Sequence, residues 1–169
     1  MNPTVPALCA IAILSSSPAR ALDSDEAQFT GWRHAVSEMQ DRPVRMHSLP
    51  IANFPQKLDR VNREVNAYQY NASFEGYWET PTEFRQLGGQ CRDYAVAKYA
   101  KLYDLGVADA DMELTVVRIR KTGELHAILI VRHQESVYVL DNLRQDVQGP
   151  ERMRDFEVIY FINRVGWTQ

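Results

Sequence analysis

The apolar positions of this chain change their period about two-thirds of the way along it. In the N-terminal part they recur every three or four residues: Phe29, Trp32, Val36 and Met39 form one stripe, and Phe54, Leu58, Val61, Val65 and Tyr68 form another. That spacing lines up side chains on one face of a helix. The first stripe has Asp23 as its cap, Glu26 three residues on and Pro43 beyond its end, and the second has Pro55 in its first turn. Thr80-Pro81-Thr82-Glu83 reads as a capping box with proline at the first helical position, opening a short helix that Gly88-Gly89 stops. A fourth helix begins near Cys91, continues its face through Ala95, Tyr99 and Leu102, and ends at Gly106.

Beyond residue 110 the pattern is that of strands. Met112 to Arg120, Leu125 to Arg132, Val137 to Asp141 and Phe156 to Ile162 are rich in Val, Ile, Leu and Tyr. Lys121-Thr122-Gly123-Glu124, His133-Gln134-Glu135 and a loop carrying Gly149-Pro150 separate them. Short connections make such strands antiparallel neighbours. Helices followed by a run of strands predict an α+β fold, not alternating α/β.

The first residues stand apart. Ala7 to Leu14 is an unbroken apolar stretch, followed by Ser15-Ser16-Ser17-Pro18 and Ala19-Arg20-Ala21. This pattern reads as a secretory signal over residues 1–21 with an A-x-A cleavage site, although no Lys or Arg precedes the stretch. Residues 22–169 then form one domain, long enough to bury a core of its own. Cys9 would leave with the signal, and Cys91 would be the single cysteine of the mature chain. Among 169 residues, 19 Lys and Arg stand against 22 Asp and Glu, a net charge of −3 with no general positive field for a phosphate backbone, so nucleic acid is not an expected partner. No apolar run approaches the roughly 20 residues of a membrane-spanning helix, so no integral membrane segment is expected in the mature chain.

A thiol acts as a nucleophile only as thiolate, and the placing of Cys91 favours that form. A helix start supplies N–H groups and about half a positive charge, and Arg92 adds a cation one residue away. Of the four histidines, His126 is the best placed base, at the start of a strand whose two faces, Ile128 and Ile130 on one and Ala127, Leu129 and Val131 on the other, are both apolar. His133 sits at a hairpin tip facing water, and His34 and His47 lie in unremarked surroundings. Asp141 follows an inward-facing row, Val137 and Val139, on the next strand. A hairpin centred between His133 and Gln134 brings His126 and Asp141 side by side. The expected catalytic set is Cys91 as nucleophile, His126 as base and acid, and Asp141 orienting the imidazole. The Cys91 N–H, with Gln86 or Gln90, could stabilise an oxyanion, and no spacing chooses between the glutamines.

From Phe54 to Trp167 the sequence resembles the bacterial transglutaminase-like cysteine peptidases that include the LapG-type periplasmic proteases. The resemblance rests on Val61-Asn62, Val65-Asn66, Tyr77-Trp78, Pro81 and Glu83-Phe84, then on Cys91 with Asp93-Tyr94-Ala95 and Lys98-Tyr99. Leu105-Gly106-Val107, His126-Ala127 and Leu140-Asp141-Asn142-Leu143 continue it. It implies a papain-like or transglutaminase-like fold, with N-terminal helices and the nucleophile at a helix start packed on an antiparallel sheet. It also implies catalysis by Cys91, His126 and Asp141, a protein substrate such as a cell-surface or envelope protein, periplasmic location and an inner-membrane regulatory receptor. LapG-type members flank the nucleophile with acids in an Asp-Cys-Glu-Asp-Tyr run linked to calcium; Gln90 and Arg92 stand at two of those places here. Two carboxylates are gone and a cation is added, which argues against calcium, and no other metal or cofactor is expected. The expected activity is thiol hydrolysis of a peptide bond through a thioester. Transfer of the acyl group to an amine, and a non-catalytic periplasmic binding module, are the alternatives.

Overall fold

The computed structural model describes residues 18–72 and 76–168, and the side chains of 27–72 and 76–167. Residues 1–17 of the expected export signal lie outside the described residues. Helix α1 (Pro18–Ala35) is followed by a 3-10 turn (Ser37–Met39), then α2 (Phe54–Asn66), α3 (Pro81–Leu87) and α4 (Cys91–Asp104). Strands β1 (Met112–Ile119), β2 (Leu125–His133), β3 (Ser136–Leu140), β4 (Phe156–Ile162) and the short β5 (Trp167–Thr168) make one sheet in the order β3-β2-β1-β4-β5. Every pairing is antiparallel. The α+β architecture is the one expected.

The boundaries have local causes. Thr80 Oγ1 accepts from the Glu83 N–H at 3.3 Å while Glu83 Oε2 accepts from the Thr80 N–H at 2.8 Å, so the capping box opens α3. Gly88 ends α3 at φ 72°, where a Cβ would lie 2.0 Å from the Gln69 carbonyl. Only glycine fits both the backbone and the space. Gly106 at φ 103° closes α4, with the Val107 N–H donating to Leu102 O at 3.0 Å. Helix α1 begins at Pro18, so Asp23 lies inside it and is not its cap. Its expected stripe is also broken: α1 stops at Ala35, the 3-10 turn carries Met39, and Phe29 is exposed.

The main core lies between the helices and one sheet face, where Leu58, Val61, Phe84, Tyr99 and Leu102 meet Leu114, Val116, Leu129 and Val131. Each fully buried Leu or Tyr there contributes on the order of 1.5–3 kcal/mol. Trp32 packs edge-on against Tyr99, and Gly31 lies so close to Trp78 that a Cβ would come within 2.3 Å of the indole. The opposite sheet face holds a smaller cluster, Val117, Ile128, Ile130, Val139 and Phe156, against which Met153 of the 3-10 turn Pro150–Asp155 packs. Strand β2 is therefore covered on both sides, and α4 is buried almost all round. These two elements carry the chemistry.

Candidate active site

Cys91 is the first residue of α4 and is buried, at 1% exposure. The turn before it is tied down by one carboxylate. Asp93 Oδ2 accepts from the Gln90 N–H at 2.8 Å and Oδ1 from the Glu79 N–H at 3.0 Å, so the cap of α4 and the strand-like segment before α3 share an anchor. Gly89 passes so near that a Cβ would lie 2.7 Å from Glu79 Oε2. The helix start directs N–H dipoles toward the sulfur. Thiolate chemistry at this position belongs to the reduced form of Cys91. On the sheet side Cys91 packs against Ala127.

Ala127 is the neighbour of His126, and His126 meets Asp141: Nε2 lies 2.8 Å from Asp141 Oδ1, with both residues buried. The Leu143 N–H donates to the same oxygen at 2.9 Å, and Arg152 Nη2 to Oδ2 at 3.3 Å. With Nε2–H given to the carboxylate, Nδ1 is the acceptor of the neutral ring, and it has no hydrogen-bond partner among the described residues. Burial opposes the charge on Asp141, yet the hydrogen bond and charge of His126, the Leu143 N–H and the Lys98 amine hold it down to about 2. It stays a carboxylate at any physiological pH.

The route by which the pair forms differs from the sequence expectation. β3 pairs Leu129 with Leu140 and His133 with Ser136, so the hairpin is centred between Gln134 and Glu135, not between His133 and Gln134. Continued, that register would set Leu143 opposite His126. Asp141 instead lies just past the end of β3, two residues from the symmetric place, and reaches the ring diagonally. The loop that carries it is pinned by α2. Asn66 Nδ2 donates to the carbonyls of Asp141 and Arg144 at 3.0 and 2.7 Å, and Asn62 Nδ2 to those of Arg144 and Gln145 at 2.8 and 2.9 Å. Asp59 Oδ1 takes the Val147 N–H at 3.0 Å. Residues 59, 62 and 66 share one helix face.

The remaining histidines are elsewhere. His34 bonds the Tyr77 hydroxyl at 2.7 Å, His47 is exposed, and His133 stacks on Phe54 with ring centroids 3.9 Å apart, so it faces a ring where water was expected. Gln86 is exposed, whereas Gln90 is buried and its amide reaches the Ala72 carbonyl. Arg92 is buried, its guanidinium donating to the Tyr77 carbonyl and lying 3.7 Å from Asp93 Oδ1. Three charged residues near the site have no local signature in the sequence: Glu79, Lys98 and Arg152. Glu79 is buried, and neither of its carboxylate oxygens has a hydrogen-bond partner among the described residues. Burial, then the charges of Asp93 and Glu83, push its pKa up to about 7. Lys98, wholly buried on α4, is pushed down to about 7 by burial, against the pull of Asp141.

A family model described as the bacterial transglutaminase-like cysteine proteinases matches residues 33–156. The chain belongs to that family. It is therefore a cysteine peptidase. Among solved structures, calcium-bound LapG of Legionella pneumophila superposes on this transglutaminase-like proteinase with a TM-score of 0.62 at 22% identity, over 90% of this chain and 80% of that one. The EGTA-treated form of the same protein gives 0.59 at 22% identity, over 88% and 76%. A candidate cysteine protease of Cytophaga hutchinsonii gives 0.53 at 14% identity, over 82% of this chain and 42% of that one. No curated protein sequence matches the proteinase. At these identities the likeness is one of fold, and that fold is the papain-like arrangement of helices on an antiparallel sheet expected from the sequence.

Proposed function

We propose that the proteinase cuts a protein substrate with Cys91, His126 and Asp141 as its working set. One observation carries this reading: a buried imidazole holds one nitrogen on a carboxylate at 2.8 Å and has no partner for the other among the described residues, and the next residue of its strand, Ala127, packs against Cys91 at a helix start. His126 Nδ1 takes the proton of the reduced Cys91 thiol, and the thiolate attacks the peptide carbonyl carbon. The oxyanion forms beside the N-terminus of α4. His126 then delivers the proton to the leaving nitrogen as the C–N bond breaks, leaving a thioester on Cys91. Water, deprotonated by the same ring, attacks the thioester, and the acid product leaves as the thiol is restored. Asp141 keeps the ring in the tautomer both steps need.

The test is the rate at which reduced Cys91 is alkylated at pH 6. Fast labelling that His126→Ala abolishes supports the reading, and the kinetics of an ordinary thiol refute it. Adding a labelled amine to a cleavage reaction separates hydrolysis from acyl transfer, because only transfer places label on the substrate.

Calcium fits this site poorly. The ion takes about 6–8 oxygen ligands. Both Asp93 oxygens already accept backbone N–H groups, and the buried Arg92 guanidinium occupies the Tyr77 carbonyl. Among the described residues no three His, Cys, Asp or Glu side chains are grouped to hold a metal. We propose that Arg92 supplies a resident cation here, so that EGTA changes neither melting temperature nor alkylation rate; a fall in either would restore a calcium requirement. Export rests on residues 1–21, and fractionation of cells expressing the full chain checks it. Among the described residues no helix is long and apolar enough to cross a membrane. An envelope substrate and an inner-membrane receptor complete the proposal by family likeness, and comparing envelope proteins from wild-type and Cys91→Ala cells identifies the substrate.

A further inference from the structure

The Asp141 carboxylate is held unequally. Oδ1 serves two donors, His126 Nε2 and the Leu143 N–H, while Oδ2 accepts from Arg152 Nη2 at 3.3 Å. Two donors on a single oxygen leave the carboxylate free to turn about its own axis. A donor on the second oxygen fixes the plane. Arg152 is itself held on two sides, by Nη1 bonding Asp155 Oδ2 and by the Phe156 ring 4.7 Å beneath the guanidinium, and only 14% of the side chain is exposed. Phe156 in turn stands 6.3 Å from the His126 ring, on the same sheet face. One arginine thus touches the acid and the aromatic floor beside the imidazole at once.

We propose that Arg152 is a positioning residue of the reaction, fixing the plane of the Asp141 carboxylate and, through it, the orientation of His126. The proposal rests on the reading of Cys91, His126 and Asp141 given above. The charged groups around the dyad are Lys98 on α4 and Arg152 and Asp155 on the 3-10 turn. Asp155 balances the guanidinium, so the arginine can hold the acid without cancelling the charge that the imidazolium needs. Lysine could keep the charge near Oδ2 but not the planar fork that joins Asp141, Asp155 and the ring.

The experiment measures alkylation of reduced Cys91 between pH 5 and pH 9 in wild type, His126→Ala, Arg152→Met and Arg152→Lys, together with melting temperature. Arg152→Met keeps the apolar stem and removes the donors. It is expected to slow labelling at pH 6 about tenfold, the low end of what losing an outer-shell hydrogen bond costs at metal-bound histidines, and to displace the pH profile. Arg152→Lys is expected to recover part of the rate and the wild-type profile. A folded Arg152→Met whose profile overlays wild type overturns the proposal, as does a lower melting temperature with no change of profile. Should Arg152→Met fail to fold, Arg152→Lys decides alone: a profile like wild type with a rate reduced severalfold supports the proposal, and an unchanged rate overturns it. If His126→Ala is no slower than wild type, the three-residue reading has failed; if it is slow while both Arg152 variants match wild type, only this inference has.

Discussion

Two buried carboxylates flank the Cys91 region, and their fates are opposite. Asp141 is satisfied on both oxygens and its pKa is held down to about 2; Glu79 is satisfied on neither and is pushed up to about 7. Both are almost without exposure, so burial alone does not set the charge. Donors do. The loop after β3 is built to bring N–H groups to an acid, by its own Leu143 amide, by the strand histidine and by the neighbouring 3-10 turn. The segment before α3 gives its N–H to Asp93 and leaves Glu79 facing a carboxylate. One region is organised to keep an anion, the other to keep a proton.

The contrast can be broken most severely at Asp141. Asp141→Asn leaves the shape and removes the charge, and kcat/KM on the natural substrate is expected to fall at least a hundredfold, as loss of the orienting acid does in related triads. Activity within a few-fold of wild type would strip the dyad of its role. A smaller effect is expected from Asn62→Ala, which removes the side-chain donor of the Gln145 carbonyl, leaves the Arg144 carbonyl with Asn66 alone, and should cost about 1–3 kcal/mol by denaturant unfolding. An unchanged midpoint would mean that α2 does not hold the Asp141 loop.

The mildest change sharpens the comparison from the other side. A carboxyl whose pKa rises from 4.5 to about 7 on folding binds its proton more tightly in the folded state. Stability therefore declines as pH climbs from about 4.5 to about 7 and stays lower above that. Glu79→Gln should raise stability by about 1 kcal/mol at pH 8 and by less at pH 5, with activity retained. For Asp141 the sign reverses: a pKa lowered from 3.8 to about 2 adds stability above pH 4 that disappears toward pH 2. Equal gains for Glu79→Gln at both pH values would show that Glu79 does not titrate in this range.

Much of this arrangement is legible in the sequence, for identifiable reasons. The capping box at Thr80, the glycines that stop α3 and α4, and the apolar stripe of α2 are local signals, and local geometry followed them. The hairpin register was not legible, because Gln134 adopts φ 54° and turns the chain in two residues without the Gly or Asn that advertises such a turn. The misjudged turn still left His126 and Asp141 within diagonal reach. Lys98 illustrates the other limit. A lysine on a helix suggests a solvated face, and α4 also carries Arg92, Asp93, Lys101 and Asp104, so nothing local marks Lys98 as buried; its enclosure by α2, α3 and the sheet decides that. Glu79 and Arg152 acquire their roles from residues 14 and 11 positions away, a relation no local pattern encodes.

The contact between Gly31 and Trp78 extends the reach of the site to a helix that holds none of its reactive groups. Any side chain at 31 would drive the indole aside, and Trp78 lies between Tyr77, whose carbonyl receives Arg92, and Glu79, whose amide is bound by Asp93. Inherited variation at this position would therefore register as loss of peptidase output in alleles whose cysteine, histidine and aspartate are all intact.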